Sequence, residues 1–227
     1  MFASNRFYLA VIPVVAVFLT AAVAKAELVT IASFDANNSA GGPLQSGFAE
    51  ITRTSLTATQ NGVTLTLGPE WNESRDRNEG GVILGNPNAD LLRGFVFQRT
   101  VVNGEVTGRV NLSGLTPNTE HEVTIFSFDT AGNNSTVDWY LDAVAGTPLI
   151  TNTSNSGMPD TAPFSFLVDS DNAGEISLIG DVSNIMLFNG LTIAAEVAVP
   201  EPHSIAIWVT LGLGLVGFAY FRIRSKN

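Results

Sequence analysis

Three side chains in this 227-residue chain could in principle form a nucleophile, a base and an orienting acid: Ser127, His121 and Asp129. His121 is the only histidine between Glu27 and Ala195, so any imidazole chemistry there must use it. No strand-to-helix turn of the G-x-S-x-G kind surrounds Ser127, and a histidine opening a strand reads as structural. The expectation is that these three do not form a catalytic set, and no catalytic residue is assigned. Paired carboxylates suited to glycoside cleavage discriminate nothing in so acidic a chain. A glycan-acting hydrolase or lyase accessory, with its acid and base unidentified, is the alternative reading.

Binding chemistry has better candidates. Trp71 with Arg75, Asp76 and Arg77, and Trp139 and Tyr140 beside Asp138, combine aromatic faces with planar hydrogen-bonding groups, the pairing that carbohydrate recognition uses. The same residues would also suit a core or rim, with the Arg-Asp-Arg charges forming ion pairs. Asp169-Ser170-Asp171-Asn172-Ala173-Gly174 begins like a calcium loop, with oxygens at positions one and three and glycine at six. Position twelve is Gly180 instead of glutamate, so Asp169 and Asp171 are candidate Ca²⁺ ligands in a stretch that a simple turn explains as well.

These residues must be positioned by strands. "GVTLTLG", "GFVFQRT", "GEVTGRVNLSGL", "HEVTIFSFD", "FSFLVDSDNAGEISLIG" and "NGLTIAAE" alternate apolar and polar positions between Gly, Asn, Asp and Pro turns. No stretch keeps a 3.6-residue period over a useful length. The spacing predicts an all-β domain, a β-sandwich or jelly roll, over 27–195. In its last part, Asp171 to Gly174 is expected to turn a hairpin between Phe164–Val168 and Glu175–Ile179. The domain carries nineteen acids against six arginines and no lysine, a net charge of −13 against −10 for the whole chain, so it repels nucleic acid. With no cysteine, disulfides cannot support it outside a cell.

The ends read as addresses. Arg6, an apolar run from Phe7 to Val23 and Ala24-Lys25-Ala26 predict a signal peptide over 1–26. A linker over 196–204 leads to an uncharged stretch, 205–221, which as a helix would reach about 26 Å and span a bilayer's hydrocarbon core. The basic tail 222–227 belongs on the cytoplasmic side, which places the domain outside. Gly212, Gly214 and Gly217 match dinucleotide-binding spacing, but neither a preceding strand nor a later acidic residue accompanies them.

Val199-Pro200-Glu201-Pro202, the apolar stretch and the basic end together resemble the PEP-CTERM sorting signal of exported bacterial proteins, a tail also labelled the C-terminal domain of ice-binding proteins. The resemblance covers the last 29 residues and implies an exosortase-type partner acting at the motif, with release or re-attachment at the cell surface; it implies neither ice binding nor catalysis. "GPEWNESRDRNEG", "ADLLRGFVFQ", "VNLSGLTPNTEHEVTIFSFD", "VDWYLDAVAGTPL" and "NGLTIAA" resemble a β-sandwich module of exported planctomycete proteins, similar to galactose-binding-like jelly rolls. That resemblance implies a binding or structural role, with polysaccharide as a partner and Ca²⁺ as a bound ion. Gly114-Leu115-Thr116-Pro117 is also similar to the corner of fibronectin type III domains, with His121 where a tyrosine would stand.

Overall fold

A computed structural model describes residues 25–77, 85–98, 106–129, 136–154, 163–182 and 185–199. Two compact units are distinguished: Ala26–Val197, and separately the two chain ends. Only the first lies substantially within the described residues. Residues 1–24 of the predicted signal peptide, the predicted 205–221 span and the basic tail fall outside them, as do Pro200, Glu201 and Pro202. Among the described residues no helix is long and apolar enough to cross a membrane.

Ala26–Val197 is all-β apart from one short helix, α1 (Ala89–Arg93). Its strands are β1 (Lys25–Asn37), β2 (Ala49–Thr52), β3 (Thr57–Gln60), β4 (Val63–Leu67), β5 (Glu73–Asp76), β6 (Gly94–Gln98), β7 (Val106–Ser113), β8 (Glu120–Phe126), β9 (Thr136–Leu141), β10 (Ile150–Ser154), β11 (Pro163–Asp169), β12 (Ile176–Val182), β13 (Met186–Phe188) and β14 (Gly190–Val199). β1 thus begins ahead of Glu27, and β14 continues past Ala195 into residues that composition assigns to a linker. A five-stranded sheet runs β11-β8-β14-β1-β2, a six-stranded sheet β10-β9-β12-β7-β4-β3, and a small sheet β13-β6-β5.

One apolar face of each large sheet meets in a common core. Ala32, Phe34 and Ala36 of β1, Val123 and Ile125 of β8, and Leu191 and Ile193 of β14 come from the five-stranded sheet. Leu65 of β4, Val110 and Leu112 of β7, Val137 and Trp139 of β9, and Leu178 of β12 come from the six-stranded sheet. Successive side chains in a strand point to opposite faces, so the alternation in the sequence becomes this division between core and surface. The domain is a β-sandwich.

One expected connection is different. β11 pairs with β8 in one sheet, while β12 pairs with β7 and β9 in the other. Asp171 to Gly174 therefore does not close a hairpin; it carries the chain from one sheet to the other. Phe166 and Val168 on one side and Ile176 and Leu178 on the other bury into the same core. Both arrangements demand the same apolar alternation, which is why the period alone suggested a hairpin.

β1 and β2 pair in parallel, Asp35 opposite Glu50 and Ala36 opposite Ile51. Parallel neighbours need a crossover, and residues 38–48 supply it. Since Ala32, Phe34 and Ala36 face the core, Ser33, Asp35 and Asn37 lie on the opposite face of β1, yet all three are buried.

Candidate functional site

The two tryptophans proposed from composition as sugar platforms are in the interior. Trp71 is 0% exposed; its Nε1–H donates to the Arg109 carbonyl at 2.9 Å, and its ring lies 5.8 Å from that of Phe188. Gly108 lets the ring sit flush against β7, because a Cβ there would run into Trp71 Cζ2 and Met186 Sδ. Trp139 is 1% exposed, 6.2 Å from the Phe164 ring, with no hydrogen-bond partner for Nε1–H. Neither ring has a face free to stack on a ligand, since both fill the space between the sheets.

The Arg75-Asp76-Arg77 charges are engaged within the protein. The Arg75 guanidinium lies 5.1 Å from the Phe97 ring centroid. Arg93 makes a forked pair with Asp76, donating from Nε at 2.8 Å and from one terminal nitrogen at 3.2 Å. Arg77 pairs with the buried Asp129, its Nε 3.1 Å from Oδ1 and a terminal nitrogen donating to Oδ2 at 3.3 Å. These contacts tie β5 to the segment before β6 and to the residues following β8.

Nor do His121, Ser127 and Asp129 converge. His121 is the second residue of β8 and Ser127 follows its far end, six residues or about 20 Å along an extended strand. Ser127 Oγ donates to the Leu187 carbonyl at 3.0 Å. His121 is buried, neither ring nitrogen has a hydrogen-bond partner, and desolvation lowers its pKa against the opposing pull of the Thr119 backbone and Asp169.

Asp169 and Asp171 do meet other acids. A cleft of about 220 Å³ is lined by Leu141, Asp142, Asp169, Asp171, Glu175 and Ser177. Asp171 Oδ1 accepts the N–H groups of Ala173 and Glu175 at 2.9 and 2.8 Å, so this carboxylate closes the turn. Among the described residues, no three His, Cys, Asp or Glu side chains are grouped as a metal site. Asp171 to Gly174 thus forms a turn between sheets, and the residues after Gly174 run straight into β12.

One lining residue of the cleft, Ser177, belongs to the outer face of the six-stranded sheet. β9 turns Val137 and Trp139 inward, so Asp138 and Tyr140 face outward, and Tyr140 is half-buried. Across the strands, Tyr140 stands opposite Ile179, which stands opposite the exposed Arg109. Beside this row lie Ser177, whose Oγ donates to Asn111 Oδ1 at 2.9 Å, then Thr66, paired with Thr57 through their hydroxyls at 3.3 Å. Tyr140 is thus the member of the proposed aromatic set that presents part of its ring outside. Composition marked it, but only strand pairing supplied its neighbours Arg109, Asn111 and Ser177.

A second group was invisible in the sequence. Asp35 is 0% exposed, and Gln45 N–H donates to its Oδ2 at 2.7 Å while Oδ1 has no hydrogen-bond partner. Burial first, and then the charges of Glu50 and Asp90, raise its pKa to about 7 against the opposing effect of the Gln45 N–H. Glu50 accepts from Asn37 Nδ2 at 3.3 Å and from Gly41 N–H at 3.1 Å.

No protein-family model and no curated protein matches the chain. Three solved structures are similar in part. A family 35 carbohydrate binding module from Clostridium thermocellum matches with a TM-score of 0.34 and 10% identity, over 57% of this chain and 90% of that one. The P-domain of Macrobrachium rosenbergii nodavirus matches at 0.28 and 12%, over 45% and 86%. The enzymatically active domain of bacteriophage CBA120 tailspike protein 4 matches at 0.29 and 9%, over 66% of this chain and 22% of that one. By its own strand pairing, the chain is an all-β sandwich.

Proposed function

We propose that this chain is an exported β-sandwich of the cell surface or extracellular matrix that binds polysaccharide without turning it over, delivered by a PEP-CTERM signal at its C-terminal end. The observation that carries the binding reading is the outer face of the six-stranded sheet: half-buried Tyr140 with Arg109, Asn111 and Ser177, the last of which also lines the carboxylate-bearing cleft. A partly exposed aromatic ring can pack on a sugar's C–H face, and hydroxyl, amide, guanidinium and carboxylate groups beside it can exchange hydrogen bonds with sugar hydroxyls. A cleft of about 220 Å³ suits one residue of a chain lying across the sheet and leaves the rest in water.

Tyr140→Ala is expected to weaken binding about five- to tenfold in affinity electrophoresis against a panel of neutral and acidic polysaccharides, equivalent to about 1–1.4 kcal/mol. Its melting temperature should fall by no more than about 4 °C, because Tyr140 lies on the outer face of β9 and is only partly buried. Retention by no polysaccharide, or equal retention of both proteins, would sink the reading.

The sorting proposal rests on Val199, the last residue of β14, and on Pro200, Glu201 and Pro202, which follow it in the sequence. Proline fixes its own φ and disfavours helix in the residue before it, so the sequence predicts a stiff strip here with Glu201 between two prolines. Replacing Pro200-Glu201-Pro202 by alanines is expected to leave the sandwich folded and the tail untrimmed, giving a heavier protein by intact mass in the native host. Equal masses, after allowing for the substitutions, would defeat it.

A further inference from the structure

The crossover 38–48 is held over the outer face of β1 by several separate hydrogen bonds. Ser74 Oγ donates to Asn38 Oδ1 at 2.8 Å, Gly41 N–H to Glu50, and Gln60 Nε2 to the Gly47 carbonyl at 2.6 Å. Gln45 stands at the middle of these restraints. Its backbone N–H donates to Asp35, its side-chain Nε2 donates to the Pro87 carbonyl at 3.1 Å, and its Oε1 accepts from Leu91 N–H at 3.4 Å. One residue thereby joins β1, the crossover and α1. Phe48 then packs with Leu91, Leu92, Phe126 and Phe128.

The carboxyl group beneath this joint is poorly placed to carry a charge. Asp35 is fully buried, Glu50 stands opposite it on β2, and Asp90 approaches from α1, while the crossover contributes the uncharged Gln45. An ionised Asp35 would therefore be buried with one hydrogen bond and two negative neighbours. We propose that residues 38–48 form a proton-gated strap, held shut over β1 and α1 by neutral Asp35 and loosened when that carboxyl group ionises.

The direction follows from linkage. Closed, Asp35 titrates at about 7, and open, in water, at its ordinary 3.8. The closed form holds the proton more tightly, so opening becomes easier as pH rises from about 4 to about 7 and levels off above that. The span of about three units allows up to about a thousandfold change in the opening equilibrium. A domain exposed to the medium would thus be tight in acid and looser near neutrality at this end.

Amide hydrogen exchange of the full chain in detergent micelles tests this from pH 4.5 to 8.5, with intrinsic exchange rates divided out. In peptides covering 38–48 and 86–92, protection should fall by up to about tenfold per pH unit to about pH 7 and then level off, while peptides from β7 and β12 hold theirs. Asp35→Asn should give high, pH-independent protection, and Glu50→Gln should move the levelling point to lower pH. Flat protection in the unsubstituted protein, the same slope in Asp35→Asn, or a parallel loss in β7 and β12 would overturn the proposal. So would calcium restoring full protection at pH 8, since the site would then belong to a cation.

Discussion

Trp71→Ala is expected to destabilise the sandwich by about 3–5 kcal/mol, a large fraction of the 5–15 kcal/mol that a domain of this size has available. The ring is fully buried, packs against Phe188 and fills the space that Gly108 leaves open, so alanine would leave a cavity between rigid sheets. It would also leave the Arg109 carbonyl without its indole donor. Trp71→Phe should recover most of the packing and leave a deficit of about 1–2 kcal/mol from that unmet carbonyl and the smaller ring. Urea unfolding of the three proteins measures all of this. A loss below 1 kcal/mol for alanine would show that the ring is not core. This outcome separates a core tryptophan from a sugar platform, whose removal would weaken binding and spare the fold.

Asp35→Asn should act in the opposite direction at neutral pH. Keeping Asp35 buried at pH 7.5 costs up to about 4 kcal/mol, from roughly three pKa units at 1.36 kcal/mol each. Asparagine keeps an oxygen for Gln45 N–H and carries no charge, but its amide N–H groups need acceptors, which takes back about 1–3 kcal/mol. The expected net gain is about 1–3 kcal/mol at pH 7.5, shrinking as pH falls, changing sign at about pH 4.5–6 and becoming a loss of about 1–3 kcal/mol by about pH 4. For the native residue the sign is that of a raised carboxyl pKa: stability is present at low pH and is lost as pH rises through about 7. His121 runs the other way, because burial lowers its pKa, so its contribution is present above 6.5 and is lost as pH falls. The two partly cancel in the unsubstituted protein. Chemical denaturation from pH 4.5 to 8 should therefore show stability rising with pH in Asp35→Asn more steeply than in the parent, and equal slopes would refute the assignment to Asp35.

Much of the architecture was legible because strand periodicity is local. Val63-Thr64-Leu65-Thr66-Leu67 and Glu120-His121-Glu122-Val123-Thr124-Ile125 mark β4 and β8 by alternation alone, and Asp171 to Gly174 marks a turn by residue chemistry. Which sheet each strand joins is a long-range matter, and alternation is silent on it. That silence is why β11 and β12 read as one hairpin although they lie in opposite sheets.

The same limit governs the site residues. Trp71, Trp139 and Tyr140 are equally aromatic in composition, and only the facing of β9 and the packing against β7 separate two core rings from a partly exposed one. By itself the sequence determined the strands, the acidic surface and the chemistry of the end segments, since each depends on residue type and near neighbours. Asp35 shows what it could not reach. Alternation sends its side chain to the outer face of β1, where a carboxylate would ordinarily meet water. The parallel pairing of β1 with β2 sends the crossover 38–48 back over that face, and burial turns an ordinary acid into one that holds its proton to about pH 7.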